Sequence, residues 1–340
     1  MTRVYKKRSL SIFFALLVFF IMWGLYGWNS WNGDRDVYEL YYHTRDTFSS
    51  WGGEIGYGYL NIIANQSGLS FQTFQILISL VTLFLVFRYI AKRTLSPFVS
   101  LILYMICFFS LDFVLMRNFL AFAVFLQGIV TLYEGRKYCR LKYAILILVA
   151  TAIHQSSLMF MVFIFMPLNR VIPLGRFFLA YLVVIVCYVL ARYALPLPDS
   201  MASHFNFYST TWKSILANIF AHLVSFVLFV FAVMAERKSL CRIDCSTGRD
   251  KELAFILNIN IFSLFFLGLY FESDIFIRVL RVIIFFNILH CVNSLFLKRR
   301  TYLFLLSYIV IFVGYLVLFF LVPVAEETYI PMWKNNLFLN

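Results

Sequence analysis

Three residues in the first half of the chain carry side chains suited to moving a proton and holding an anion beside apolar segments: Glu54, Arg117 and His154. A carboxylate or an imidazole can take a proton from a hydroxyl as it attacks. A guanidinium, planar and permanently charged, grips two oxygens of a carboxylate or a phosphate at once. Arg117 opens one apolar run and His154 interrupts another. An ionisable group inside a bilayer costs about 2.5–3.5 kcal/mol on insertion scales, so such positions read first as functional and second as structural. For His154 the structural reading is a kink histidine bonded to a carbonyl; for Arg117 it is a pairing with a protein carboxylate. Arg278 and Arg281 sit three apart on one helical face and together suit a diphosphate, although Asp274, four before Arg278, is an alternative partner. Asp112 reads as neutralising Arg117 or capping a short turn, and Asn118, Gln127 and Gln155 as interhelical hydrogen-bonders.

A second group of polar residues lies in the stretch 29–70, dense in Trp, Tyr, Asn and acids. Aromatic faces beside carboxylates and amides are what a sugar ring requires, since C–H faces stack on the rings and hydroxyls bond to the polar groups. An aromatic belt at a membrane interface has a similar composition.

The elements that must position these groups are membrane helices. Hydrophobic residues make up 62% of the 340 and charged residues 13%, far from the quarter or so usual in soluble proteins. The net charge of +13 does not indicate nucleic acid, because Lys and Arg occur in short clusters between apolar runs, as topology signals do. Full spans are expected at 10–28, 71–90, 97–115, 118–133, 177–193, 214–234, 253–271, 278–297 and 302–322. The start of the chain resembles a signal peptide, but its apolar run is long enough to span and no small-residue cleavage site follows, so it reads as a retained helix.

Basic clusters at 3–8, 88–93, 136–142, 237–251 and 298–300 all require the cytoplasmic side. Segment 143–168 must then begin and end on that side, and it is too short for two full crossings. A broken or re-entrant hairpin follows, with its tip near His154 and Gln155 and legs of about 17 Å at 1.5 Å per residue, placing the tip near mid-bilayer. The expected fold is an all-α polytopic membrane protein: one bundle over 1–340 with about nine full helices and this hairpin, N-terminus inside and C-terminus outside. Loop 29–70 faces out towards substrate and loop 235–252 faces the cytoplasm.

Composition and motifs also exclude much. The six cysteines are scattered without a disulfide framework; Cys241 and Cys245 flank a charged loop but lack further ligands at zinc spacing. No Gly-rich phosphate loop, Ser-His-Asp order or HExxH occurs, which argues against a nucleotide-dependent cytoplasmic enzyme.

The pattern Asp34-x-Asp36-x-Tyr38 with Tyr42, then Glu54-x-Gly56-Tyr57 with Asn61, resembles the EpsG-like branch of the Wzy-type polysaccharide polymerases. So do Arg117-Asn118 with Ala121, a basic turn, and Ala152-x-His154-x2-Ser157. The likeness is best over residues 30–165. The chain carries Asn118 where the family often has Gln. What the resemblance implies is a membrane glycosyltransferase of the bacterial cytoplasmic membrane. It would join undecaprenyl-diphosphate-linked repeat units into O-antigen, capsular or exopolysaccharide on the outer face. Glu54 or His154 would be the base and Arg117, Arg278 and Arg281 the diphosphate clamp. Asp34, Asp36, Tyr57 and Asn61 would bind sugar. No metal and no cofactor is implied, and the implied partners are lipid-linked glycans with a flippase and a chain-length regulator of the same pathway. Three alternatives stand beside it. A flippase would carry more spans and pseudo-symmetry, an O-antigen ligase would have a large late outer loop, and an O-acyltransferase would have an early His-centred motif.

Overall fold

The computed structural model describes residues 2–44, 54–173, 175, 177–184, 186, 211–236, 248–273, 276–297 and 302–339. Among them every regular element is a helix. Among the described residues seven helices are long and apolar enough to cross a membrane: Arg8–Gly27, Phe71–Arg93, Met116–Glu134, Trp212–Met234, Lys251–Phe271, Ile277–Phe296 and Tyr302–Leu321. The protein is therefore a multi-pass membrane protein. Of the nine spans expected, 97–115 forms a shorter apolar helix, Pro97–Asp112, loosened by a π turn at Met105–Phe109. The span 177–193 lies partly outside the described residues, as do Arg176, Cys187, the stretch 194–210, Cys241, Cys245, most of loop 235–252 and Asp274.

The chain divides into two compact units, Met1–Ile164 with Val292–Leu297 and Val310–Asn340, and Phe165–Cys291 with Lys298–Ile309. In the first unit, α1 (Thr2–Gly27) leads through an Asn-rich turn to the short α2 (Arg35–Thr44). Then come α3 (Ile55–Gln66), α4 (Phe71–Arg93), α5 (Pro97–Tyr104), α6 (Met116–Glu134) and α7 (Cys139–Ile153). Local chemistry sets the boundaries. Ser70 caps α4 by accepting from the Thr73 N–H at 3.2 Å, and Pro97 opens α5, where a missing N–H costs nothing. Gly135 ends α6 in the left-handed conformation, φ 64°, that glycine adopts without a Cβ clash.

The hairpin is visible in the backbone. Helix α7 stops at His154, and Gln155–Phe165 returns as a 3-10 helix. The Tyr143 hydroxyl donates to the Phe160 carbonyl at 2.6 Å and Arg140 donates to the Ile164 carbonyl, so the two legs run antiparallel. Each leg is about 22 Å long, since α7 rises 1.5 Å per residue and the 3-10 leg 2.0 Å. The expectation of about 17 Å legs fails for two reasons. The helix starts earlier, at Cys139, and the second leg is stretched by its tighter winding. Phe125 of α6 stacks on Phe160 at 4.3 Å and 23°, fastening the returning leg to the bundle.

The ends of the first unit differ chemically. At one end Arg8 donates to the Ala91 carbonyl, Arg88 to Gln127, Lys92 pairs with Glu134 and Arg93 lies 3.3 Å over the Tyr133 ring. The other end gathers the end of α1, the starts of α4 and α6, and the tip of the hairpin. The chain's last helix packs there too. Asn29 Nδ2 donates to the Pro331 carbonyl at 3.0 Å, Asn336 Nδ2 to the Gly24 carbonyl at 3.1 Å, and the Leu337 N–H to the Trp28 carbonyl at 2.9 Å.

The second unit has α8 (Trp212–Glu236), α9 (Gly248–Ser263) continued by the 3-10 turn Leu264–Phe271, most of α10 (Ile277–Phe296), as far as Cys291, and the start of α11 (Tyr302–Leu316). The C-terminal helix of the first unit is α12 (Tyr329–Lys334). In the second unit Phe177, Leu257, Ile261 and Leu264 form an apolar cluster.

Candidate active site

Glu54 stands at the N-cap of α3, yet its side chain makes no cap bond. Its carboxylate instead turns inward, 8% exposed, and spends both oxygens on other elements. Oε1 lies 2.6 Å from His154 Nδ1 and accepts the Gln155 N–H at 3.1 Å. Oε2 accepts from Arg117 Nη1. Burial alone would raise the Glu54 pKa, but the His154 hydrogen bond, the nearby charges of His154 and Arg117, and the Gln155 N–H outweigh it and hold it below the ordinary value. The carboxylate is thus ionised near neutral pH and can only accept, so Nδ1 is the donor in the His154–Glu54 hydrogen bond and Nε2 is the nitrogen that bond leaves over.

Each partner arrives by a local device. Arg117 lies in the first turn of α6. His154 leaves the helix with φ −151° and ψ 115° while its own N–H still closes on the Ala150 carbonyl at 2.8 Å, so the ring is thrown across from the helix end. Gly56 makes the approach possible. A Cβ there would stand 2.9 Å from the Ala152 carbonyl oxygen, so α3 meets the hairpin tip backbone to backbone.

Tyr38, on α2, completes the surroundings of Arg117. Its phenolic oxygen accepts from the guanidinium, and Arg117 Cζ lies 5.6 Å from its ring centre. Burial pushes the Tyr38 pKa up while Arg117 pulls it down, with the net shift upward. Arg35, Tyr38 and Tyr42 are the buried side of α2. Their spacing of three and four along RDVYELYY is a helical stripe legible in the residue types.

One sequence expectation needs correcting. The carboxylate on Arg117 is Glu54, while Asp112 accepts from the Tyr104 hydroxyl at 2.9 Å. Tyr57, expected to bind sugar, is fully buried, its ring 6.0 Å from Tyr38 and its hydroxyl on Met116 Sδ at 2.9 Å. The described part of stretch 29–70 holds α2 and α3.

Of the remaining residues, Asp34 is half-buried just before α2 and Asp36 exposed in its first turn. Asn61 is 3% exposed on the same side of α3 as Glu54 and Tyr57, and neither amide atom has a hydrogen-bond partner. Gln127 does join helices, donating to the Leu85 carbonyl at 2.9 Å. Arg278 and Arg281 belong to the second unit, on α10, where Arg281 is 4% exposed and Arg278 half-buried.

The second unit holds a polar core that no motif in the sequence marks. His222 bonds Tyr270 at 2.8 Å and Ser263 at 2.9 Å. The Asn260 and Asn287 amides bond each other at 2.6 and 2.9 Å, and Asn287 donates to the Tyr308 hydroxyl at 2.7 Å, which meets Ser225 at 2.8 Å. These residues lie on four helices and tie them together. Among the described residues no three His, Cys, Asp or Glu side chains come together as a metal site would need.

No curated protein and no solved structure matches this chain. A family model does, described as the EpsG family, which is associated with polysaccharide-polymerase-like, glycosyltransferase-like roles. Its match runs over residues 12–332, nearly end to end, and on that ground the chain belongs to the EpsG family.

Proposed function

We propose that this protein is a polymerase that joins undecaprenyl-diphosphate-linked oligosaccharide repeat units on the outer face of the bacterial cytoplasmic membrane. The observation that carries this reading is Glu54 held between His154 and Arg117. Glycosyl transfer needs two things: a proton must leave the acceptor hydroxyl as its oxygen attacks the anomeric carbon, and the departing diphosphate must have its charge met. His154, oriented through Nδ1, offers Nε2 as the base. Glu54 is then the residue that orients the imidazole and stabilises its protonated form, as the carboxylate does in other His-carboxylate pairs. Arg117 offers the fork for a diphosphate oxygen. Arg278 and Arg281, in the second unit, are proposed as diphosphate-binding residues on sequence grounds, and their alanine variants test that proposal separately.

The outward orientation is supported by charge. In the first unit the basic cluster of Arg8, Arg88, Lys92 and Arg140 lies at the end opposite the site, and positive residues stay inside. The chain's two ends lie at opposite ends of that unit, as an N-terminus inside and a C-terminus outside require. Buried and unpartnered, the Asn61 amide supports a polar ligand reaching that face of α3, with Asp34 and Asp36 nearer solvent.

Deletion of the gene, read by gel analysis of surface glycan, tests the proposal. A polymerase loss leaves one repeat unit on the lipid anchor in place of a ladder. An unchanged ladder rejects it, and loss of all surface glycan with lipid-linked units trapped inside points to a flippase.

A further inference from the structure

Helix α2 is pinned by a buried cation that has little carboxylate to answer it. Arg35 is 6% exposed. Its Nη1 donates to the Asn29 carbonyl at 2.8 Å and to Gln75 Oε1, and its Nη2 donates to Gln72 Oε1 at 3.0 Å. Cζ lies 4.9 Å from the Phe71 ring centre, and Glu39 approaches Nε only to 3.7 Å. The acceptors are themselves held in place. Gln75 Nε2 donates to the Tyr26 carbonyl at 2.7 Å, Gln72 Nε2 to the Gly27 carbonyl at 2.5 Å, and Asn29 is fastened to the C-terminal helix through the Pro331 carbonyl. The end of α1, the first turns of α4 and helix α12 thus build a socket whose oxygens match a planar fork, and a lysine cannot fill it. Desolvating a guanidinium is expensive, so a socket serving packing alone would be better filled by an apolar side chain. One turn beyond Arg35 on the same buried side comes Tyr38, which accepts from Arg117; one turn further, the Tyr42 hydroxyl donates to the Leu69 carbonyl at 2.8 Å.

We propose that Arg35 is a positioning residue for the site of Glu54, Arg117 and His154. By locking α2 into the socket it sets Tyr38 against Arg117 and so fixes the direction in which that guanidinium points. The activity readout of this inference rests on the proposed glycan transfer; its exchange readout does not.

The test uses the full-length protein in membranes with Arg35→Lys, Tyr38→Phe and the double variant. Arg35→Lys is expected to speed amide exchange across 35–44 by about tenfold or more and to lower chain growth by about 10- to 100-fold at normal protein level. Tyr38→Phe lowers growth by a similar factor, and the double variant is no worse than the poorer single, because both act through one contact. A merely structural role would instead let the two losses multiply. Wild-type exchange and growth in Arg35→Lys, or multiplied losses, overturn the inference. Should Arg35→Lys fail to accumulate, Gln72→Met removes one wall of the socket without touching the cation, and the same non-additivity with Tyr38→Phe decides the matter. If chain growth proves indifferent to loss of the whole protein, the proposed function falls, and exchange alone decides: unchanged protection of 35–44 in Arg35→Lys then rejects the lock.

Discussion

Glu54 Oε1 lies 2.6 Å from His154 Nδ1, although one hundred positions of sequence separate them, and its other oxygen holds Arg117. A single carboxylate thus orients an imidazole and a guanidinium at once. Removing it disturbs the proton acceptor and the anion-binding group together, whereas removing either partner leaves the other in place.

Glu54→Gln should therefore be the most damaging conservative change. The amide keeps the shape but turns a donor towards Arg117 or towards His154, and one of them loses its acceptor. Chain growth is expected to fall by about 10²-fold or more, and stability by ~3 kcal/mol, the low end for a broken buried pair since Arg117 is partly exposed. Ladder densitometry and thermal unfolding in detergent measure the two effects. A ladder of wild-type length from Glu54→Gln would remove Glu54 from the mechanism.

The pH dependence follows from the direction of the Glu54 shift. Its folded pKa lies below the ordinary value of 4.5, so its stabilising contribution is complete above that value and is lost as pH falls through the folded pKa. The stability gap between wild type and Glu54→Gln should therefore shrink as pH falls below about 4.5. Melting temperatures of both proteins across that range check it. A gap that widens as pH falls below about 4.5 would show the sign to be wrong.

Gly56→Ala tests the close approach of α3 to the hairpin. The added Cβ would meet backbone, the Ala152 carbonyl oxygen at 2.9 Å and its carbon at 3.0 Å, which cannot rotate away. Overpacking of this kind costs about 1–3 kcal/mol. The displacement falls on the two segments that carry Glu54 and His154, so chain growth should drop along with the melting temperature. Gly68, with open space around it, is the matched control site for thermal measurements; there an added Cβ meets no atom but strains the φ of 75°.

In the second unit, Asn287→Ala strips a partner from both Asn260 and Tyr308. Leaving buried polar groups unpaired costs about 1–3 kcal/mol. The double variant Asn260→Ala with Asn287→Ala should be less destabilised than the sum of the singles, because the two amides chiefly satisfy each other. Additive losses in thermal unfolding would show that each amide is held by other neighbours.

The helices were legible from residue types because lipid forces each segment to satisfy its own backbone, so an apolar run of sufficient length must coil wherever it lies. The break at His154 was legible for a related reason: basic clusters on both sides allowed no full crossing between them. The expected span 97–115 behaved otherwise, since hydropathy does not register a π turn that interrupts a helix without changing its composition.

Partnership was another matter. The residues Glu54, Arg117 and His154 stood out in the chain by their type and setting alone, and family membership was readable from their motifs. That Glu54 lies between the other two, that Tyr38 reaches Arg117, and that Arg35 is buried in a socket of amides were decided only by the tertiary structure. Hydropathy reports which side of a helix avoids water; it says nothing of which other helix that side meets. That choice is made by packing between segments far apart in the chain, here by a glycine at position 56 that lets two backbones touch.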